Sequence, residues 1–393
     1  MRSRRATAVA ALLALGAAFA VVAAAYATPN RADAPTAQTG SDAALVKCGK
    51  TRTIGLLAPI TGPAASLGLP QVDWASYYVS TYNAKHKTKF KFQKGDTILG
   101  GPGGTAEAVK AAQSFGSNVL GVVGPAGSNE VKATTPTLKN AGLGFVSGSA
   151  TNTTITTDGV RTGFFFRAVP PDAQQSKDVS GYIVKTLKAK EVYIIDDQEA
   201  YSTGLADEVQ AQLKAAGVTV GRDGVSQQQS DFSSLIAKIS RTTAVVYIPW
   251  QLPPKGKAFG EQMRSAGKGS IKLMGSDGLF DPDFASVGTN VYDSFFPVQG
   301  SNKVVKAFQK AHGGKGEFFG APSYVAAQIV GGAIDRACAN GTASRAEVRA
   351  QIKRTKLKTS LLGIPISFDK NGDIKRKKFG IWKSNGTDFR PVG

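Results

Sequence analysis

Two loops of small and hydroxyl-bearing residues lie where predicted β-strands end. The apolar strand Val119–Val123 is followed by residues 124–128 (GPAGS), and a strand that ends at Val146 is followed by residues 147–151 (SGSAT). Open α/β sheets bind ligands at the carboxyl ends of their strands, because helix N-termini and free backbone N–H groups converge there. Hydroxyl groups and backbone donors at such an edge suit a carboxylate.

Two later strands are followed by acidic residues. A strand over residues 191–196 leads into Asp197 and residues 200–204 (AYSTG), and a strand that includes Met274 leads into residues 275–278 (GSDG). An acidic side chain at this edge suits an ammonium group. Each loop by itself fits ordinary capping of the next helix. The joint placement of the four loops is what indicates a binding site.

Catalytic and metal-binding residues are scarce in this sequence. The two histidines, His86 and His312, have no Cys, Asp or Glu at metal-ligand spacing, and a Ser-His-Asp triad would have to recruit one of them. The glycine-rich residues 100–104 lack the Lys-Ser/Thr of a P-loop, and the turn 369–373 (DKNGD) lacks the glutamate of a calcium loop. We therefore predict a protein that is not an enzyme and uses no metal or cofactor.

The elements that must position these loops follow a parallel α/β pattern. From residue 51, short apolar segments alternate with amphipathic helices, the first of which is predicted from about Pro70 to Tyr82. A long helix is predicted over residues 323–339, and Ser344 and Glu347 form a capping box for the next helix. The tail is predicted to be a hairpin, with strand 364–368 and a partner that runs through Trp382.

The β-α-β series restarts near Pro170, and 42% of the 393 residues are hydrophobic, which is enough for two domains. We predict two Rossmann-like lobes with parallel-sheet cores. The first lobe is assigned to residues 51–170 and about 291–362, and the second to residues 171–290 and about 363–393. Since each lobe takes two separate stretches, the chain would pass between them several times and form a hinge.

The first 34 residues have the features of an export segment. Arg2, Arg4 and Arg5 precede an Ala/Leu/Val-rich run over residues 6–25, and small residues suited to cleavage follow. The run approaches the length that spans a bilayer, so residues 1–34 are either a cleaved signal peptide or an uncleaved N-terminal anchor. Residues 35–50 are predicted to be a linker. Both alternatives place the remaining protein outside the cytoplasm, in the periplasm or at the cell surface.

Export changes the interpretation of the two cysteines. In an oxidising compartment, Cys48, just before the first strand, and Cys338, near the end of a late helix, are expected to form one disulfide. Two unpaired thiols are the alternative.

The net charge of +20 is high for a small-molecule binder. Such a charge favours anionic surfaces, and an anionic cell surface is therefore a candidate partner. The densest basic run, residues 375–378 (KRKK), has no interleaved aromatic residues and matches no nucleic-acid-binding module. We predict no specific nucleic-acid partner and interpret this run as a solvated basic face.

Taken in order, the loops resemble those of the branched-chain amino-acid-binding family of ABC-transporter substrate-binding proteins. The resemblance runs from about Thr53 to the C-terminus, and its segments are specific as a set rather than singly. They are residues 54–63 (IGLLAPITGP), 121–124 (GVVG), 148–151 (GSAT), 196–204 (DDQEAYSTG), 230–232 (SDF) and 368–373 (FDKNGD). The resemblance implies the type I periplasmic-binding-protein fold, in which two lobes joined by three crossovers close on a ligand.

The family's ligand contacts can be transferred to the first lobe residue by residue. By this resemblance, Ser128 and Thr151 hydrogen-bond the ligand carboxylate, and Ser149 and Ala150 contribute main-chain contacts. The family often has an aromatic residue where this chain has Leu67, which could reshape the pocket for the ligand side chain.

The second lobe supplies the remaining transferred contacts. Asp277 stands where the family places an acid that pairs with the α-ammonium, and Tyr201 would close over the ligand. Trp250 lies near another aromatic residue of the family.

The resemblance implies an extracytoplasmic solute-binding protein that captures an amino acid, with branched-chain amino acids first among the candidates. It would deliver the ligand to the permease subunits of an ABC importer, and we expect a monomer. Two alternatives stay open: a ligand-sensing receptor module with the same fold, and a basic surface protein that binds polyanions.

Overall fold

The structure is a computed structural model that describes residues 44–100, 104–296, 302–312, 319–375 and 378–392. The predicted export segment 1–34, most of the predicted linker, residues 101–103 of the glycine-rich run and residues 376–377 of the basic run lie outside these ranges. Within them, no helix combines the length and the apolar character needed to cross a membrane.

The described strands and helices alternate for most of the chain. The strands are β1 Val46–Lys47, β2 Thr51–Ala58, β3 Lys89–Asp96, β4 Val119–Val123, β5 Phe145–Ser147, β6 Phe165–Arg167, β7 Glu191–Asp196, β8 Thr219–Gly224, β9 Val245–Tyr247, β10 Lys272–Met274, β11 Val291–Phe295, β12 Thr342–Ala343, β13 Gly380–Ser384 and β14 Phe389–Pro391. The helices are α1 Ala65–Lys85, α2 Thr105–Gln113, α3 Ser128–Asn140, α4 Thr154–Thr157, α5 Asp172–Lys185, α6 Ala200–Ala215, α7 Ser233–Lys238, α8 Pro253–Ser265, α9 Pro282–Ala285, α10 Lys303–Ala311, α11 Gly320–Ala337 and α12 Arg345–Lys353.

Five of the described strands form one parallel sheet in the order β3-β2-β4-β5-β6. β4 (VLGVV) is buried at every position, as expected for a strand that is covered by helices on both faces of its sheet. Side chains of α1, α11 and α12 pack with Ile54 and Leu56 in one core, and those of α2 and α3 pack with Leu57 and Val122 in another. We call this sheet and its helices the first lobe.

Seven strands of the described chain form a second sheet in the order β14-β13-β11-β10-β9-β7-β8. The run from β8 to β11 is parallel, and β13 and β14 are added antiparallel at one edge. Helices cover both faces of this sheet as well. Side chains of α7 and α8 fill one core, and those of α5 and α6 fill the other. We call this sheet and its helices the second lobe.

The chain crosses between the two lobes three times. It leaves the first sheet after β6 and enters the second lobe at α5, returns between β11 and α10, and crosses again between the bridge at Ile374 and β13. β11 belongs to the second sheet, whereas Ile366, Phe368 and Ile374 pack in the core of the first lobe. We therefore propose lobe boundaries that follow the sheets, with the second and third crossings after residue 296 and after residue 375 rather than at 291 and 363.

Three features of the fold differ from the sequence prediction. α1 begins at Ala65, five residues before Pro70, because Leu67 is buried against the second lobe and holds the extra turn in place. β3 was not predicted, since its lysines alternate with phenylalanines at the edge of a sheet. The hairpin partner of β13 is β14, and residues 364–368 contribute only single bridges. The capping box at Ser344 is confirmed.

A disulfide joins Cys48 to Cys338 across 290 residues of sequence. The short strands beside it pair antiparallel, with Val46 opposite Ala343, and the Cys48 N–H donates to the Gly341 carbonyl. The disulfide therefore fastens the chain just before β2 to the end of α11, within the first lobe.

Loss of this disulfide should lower the free energy of unfolding by about 2–4 kcal/mol, because the cross-link restricts the unfolded chain. A Cys48→Ser/Cys338→Ser variant, unfolded in urea beside the oxidised wild type, would measure the difference. Reductant should destabilise the wild type and leave the double variant unchanged. Equal unfolding midpoints for the oxidised wild type and the variant would contradict the expectation.

Candidate functional site

A cleft that is partly open to solvent lies at the carboxyl ends of both sheets. Its walls come from the loops after β3, β4, β5, β9 and β10 and from the starts of α1, α6 and α11. The residues that line it are Leu67, Gln71, Leu99, Ala126, Gly127, Ser128, Ser149, Tyr201, Gln251, Asp277, Gly278 and Phe319. This is the position at which open α/β sheets bind ligands.

The N-terminus of α3 forms the wall of the cleft on the first lobe. Ser128 is the first helical residue after the cap Gly127, and its side chain is buried. Ser128 Oγ accepts the N–H of Asn152 at 3.2 Å, so its own proton can be donated to a ligand. The first N–H groups of a helix have no partners within the helix and carry partial positive charge. This end of the cleft is therefore built for an anion such as a carboxylate.

A carboxylic acid lies beneath the same helix end. Glu130 is fully buried, and its Oε2 accepts the N–H of Gly127 at 2.9 Å. Burial raises the pKa of Glu130 to about 7, although the bond from Gly127 opposes the rise. A largely uncharged Glu130 at slightly acid pH repels a bound carboxylate little.

The loop after β5 is fixed against the loop after β4. Ser147 Oγ donates to the Pro125 carbonyl at 2.7 Å and accepts the N–H groups of Ser149 and Ala150. Ser149 Oγ donates to the Ala126 carbonyl at 2.8 Å and lies 3.1 Å from Gln71 Oε1. Because these groups already have partners, the loop acts as a rigid wall.

The second lobe presents a carboxylate to the same cleft. Asp277 Oδ1 accepts the Tyr201 hydroxyl at 2.6 Å and Gln175 Nε2 at 2.8 Å. Burial raises the pKa of Asp277 to about 6, and the two hydrogen bonds oppose that rise. At neutral pH this side chain is therefore mainly anionic, and it can pair with a cationic group of the ligand.

Two further buried acids lie behind Asp277. Burial and then the charge of Asp277 raise the pKa of Asp172 and of Asp293 well above the ordinary value. The Thr151 hydroxyl opposes this rise in the pKa of Asp172, although it makes no regular hydrogen bond with that carboxylate. Of these three acids, Asp277 is the one that lines the cleft.

The two lobes contact each other around the cleft. Asn129 Nδ2 donates to Glu199 Oε2 at 3.1 Å, and Asn152 Nδ2 donates to the Ala200 carbonyl at 2.7 Å. On another side, Leu99 packs with Leu252. These contacts hold the two lobes together on two sides of the cleft.

The structure brings four of the seven predicted ligand-binding residues to the cleft wall: Ser128, Ser149, Tyr201 and Asp277. Ala150 and Thr151 are buried behind Ser149 and do not line the cleft. Trp250 does not line it either. Its indole lies in the core of the second lobe, where Nε1 donates to the Ile195 carbonyl at 2.8 Å and the ring packs on Phe259.

A model of the periplasmic binding protein family matches residues 51–379 of this chain. The chain belongs to the periplasmic binding protein family. Among its relatives is a Leu/Ile/Val-binding protein of Rhizobium johnstonii, which is 28% identical over 345 residues that cover 84% of this chain and 91% of the relative.

Solved structures show the fold of this periplasmic binding protein. The leucine-binding protein LivK from Thermotoga maritima superposes with a TM-score of 0.79 at 21% identity, covering 87% of this chain and 98% of that one. A second structure is the substrate-binding protein LivJ of a branched-chain amino-acid transporter from Streptococcus pneumoniae, in complex with isoleucine. It superposes with a TM-score of 0.76 at 21% identity, covering 87% of this chain and 100% of that one. The fold is that of the type I periplasmic binding proteins.

Several residues that line the cleft of this periplasmic binding protein were missed in the sequence. Gln71 lies four residues after Leu67 and four before Ala75 on the buried face of α1, so a polar residue in an apolar stripe was the available signal. Gln251 directly follows Trp250, and the resemblance to the family indicated the aromatic residue instead of its polar neighbour. Leu99 and Phe319 carried no signal, because only the tertiary fold brings them to the cleft.

Nothing in the described part of this periplasmic binding protein forms a group of three or more His, Cys, Asp or Glu side chains that could hold a metal ion. The family consists of binding proteins. The polar groups of the cleft can bind and orient a small solute.

Proposed function

We propose that this protein binds an α-amino acid in the cleft between its lobes. The observation that carries the proposal is the pair of opposed charges in one cleft, with the N-terminus of α3 at Ser128 on one lobe and Asp277 with Tyr201 on the other. These groups match the carboxylate and the ammonium of a zwitterion. Relatives named for leucine, isoleucine and valine support an amino acid with an aliphatic side chain, and Leu67, Leu99 and Phe319 provide apolar walls for one.

Delivery to an ABC importer is the second part of the proposal. It is supported by the family and by the named role of the isoleucine-bound structure in a branched-chain amino-acid transporter. In this proposal residues 1–34 export the protein as a cleaved signal peptide or retain it as an anchor, and the bound lobes dock as a monomer on the permease subunits.

A thermal-shift screen over the twenty amino acids, their amides and small carboxylates tests the binding step. A ligand present at about 100 times its dissociation constant should add about 2.7 kcal/mol to the free energy of unfolding. α-Amino acids should stabilise the protein, whereas their deaminated carboxylates and their N-acetyl derivatives should do so far less. Stabilisation by carboxylates that lack an amine, with none by amino acids, would contradict the proposal.

A further inference from the structure

Gln251 has an unpaired polar group at the wall of the cleft. Only 4% of its surface is exposed, and Nε2 is buried with no hydrogen-bond partner among the described residues. Leaving such a group desolvated and unpaired is costly. If the carboxamide is rotated by 180°, Oε1 takes the same place and needs a donor there, so the position requires a polar partner in either orientation.

The other polar side chains of the cleft wall differ from Gln251 in this respect. Gln71, Ser128, Ser149, Tyr201 and Asp277 each have at least one hydrogen-bond partner within the described structure. Ser128 and Asp277 are placed for the charged ends of the ligand. Gln251 is therefore left for another part of the ligand, which in an α-amino acid is the side chain.

The backbone around Gln251 is held firmly. The neighbouring Trp250 is anchored in the core through its indole, and Gly278 packs against the same segment. A Cβ at Gly278 would lie 2.4 Å from the Trp250 carbonyl oxygen and 2.8 Å from Gln251 Cα, so only glycine allows this approach. The contact fixes Gln251 next to Asp277 and pre-positions its carboxamide for a ligand.

From this geometry we infer that Gln251 determines specificity and that the amino acid bound here carries a hydrogen-bonding group, a hydroxyl or a carboxamide, on its side chain. The inference rests on the proposed binding of an α-amino acid, and it departs from the purely aliphatic side chain that the names of the relatives support. Leu67, Leu99 and Phe319 contact the apolar part of that side chain, and Gln251 pairs with its polar group. A purely aliphatic ligand would leave the buried carboxamide unpaired.

Matched pairs of amino acids test this inference, because their members have similar shapes and differ in polarity. The pairs are valine and threonine, leucine and asparagine, and methionine and glutamine. In wild-type protein the polar member of at least one pair should bind about tenfold or more tightly than its apolar partner, measured by calorimetry. In Gln251→Leu the ratio for that pair should fall to about one or reverse.

Two further variants control the experiment. Gln251→Met removes the hydrogen-bonding group with little change in side-chain length, and it replaces Gln251→Leu in the experiment if that variant folds poorly. Gln113→Leu, at an exposed position at the end of α2, should keep the wild-type ratio.

Tighter binding of the apolar member in every pair by the wild type would overturn the inference while leaving the proposed function standing. The inference would also be overturned if both Gln251 variants kept the wild-type preference for the polar amino acid. Absence of binding by all six amino acids would instead count against the proposed function, and the inference would fall with it.

Discussion

Replacement of Asp277 by Asn should weaken amino-acid binding by about 3–5 kcal/mol, which is a loss of more than a hundredfold. The substitution keeps the shape of the side chain and removes the charge that faces the ligand ammonium. The ammonium would then be desolvated in the cleft without its counter-ion, and this is costly. Calorimetric titration of the variant and the wild type with the tightest ligand of the screen measures the loss.

The pH dependence of binding provides a second readout for Asp277. Because the pKa of Asp277 is about 6, its carboxyl must release a proton before it can pair with an ammonium at lower pH. Wild-type affinity should therefore fall as the pH drops through about 6, and the Asp277→Asn variant should lose this part of the dependence. Asp73→Asn, at an exposed position on α1, is the matched control. If Asp277→Asn binds the ligand with an affinity within threefold of the wild type, Asp277 is not part of the binding site.

Replacement of Arg167 by Met should lower the free energy of unfolding by about 3–5 kcal/mol, because it removes one partner of a buried ion pair. Arg167 is fully buried, and its Nε donates to Asp373 Oδ1 at 2.6 Å. Its other nitrogens donate to the Asn152 carbonyl at 2.9 Å and to Thr156 Oγ1 at 2.8 Å. This one side chain thus joins the segment after β5 to the segment that precedes the third crossing.

Unfolding in urea, with the Arg167→Met/Asp373→Asn pair as a second variant, separates the charge from the packing. Removal of both partners should cost less than removal of Arg167 alone, since the buried charge of Asp373 is removed as well. Lys110→Met removes the exposed pair of Lys110 with Glu107 and should change stability by less than about 0.5 kcal/mol. If the double variant is as unstable as Arg167→Met, the charge pair is not the cause.

The sequence indicated the loops that line the cleft where local rules decide the geometry. Loops at the carboxyl ends of parallel strands meet at one edge, and this rule alone places Ser128, Ser149, Tyr201 and Asp277 near each other. It does not decide which way a side chain in an irregular segment points. The loop after β9 turns Trp250 into the core and Gln251 into the cleft, and this alternation depends on the packing of both lobes.

The fold shows the same division between local and tertiary causes. Strands buried on both faces, such as β4, have continuous apolar sequences and were predicted. β3 has alternating lysines because it forms the edge of its sheet, and its position at an edge is visible only in the assembled sheet. The sequence predicts lobe boundaries near residues 291 and 363, whereas the sheets place them after residues 296 and 375. The difference arises because β11 joins the second sheet and Ile374 packs in the core of the first lobe.

The attachment of Cys48 has a mechanical consequence. The disulfide and the β1–β12 pair lie at the start of β2, a strand of eight residues that spans about 26 Å before it reaches the cleft at its far end. Any pull on the chain that precedes Cys48 is therefore transmitted into a cross-linked part of the first lobe and bypasses the three crossings. If residues 1–34 act as an anchor, a load on that anchor would enter the first lobe, and the three segments that join the lobes would not carry it.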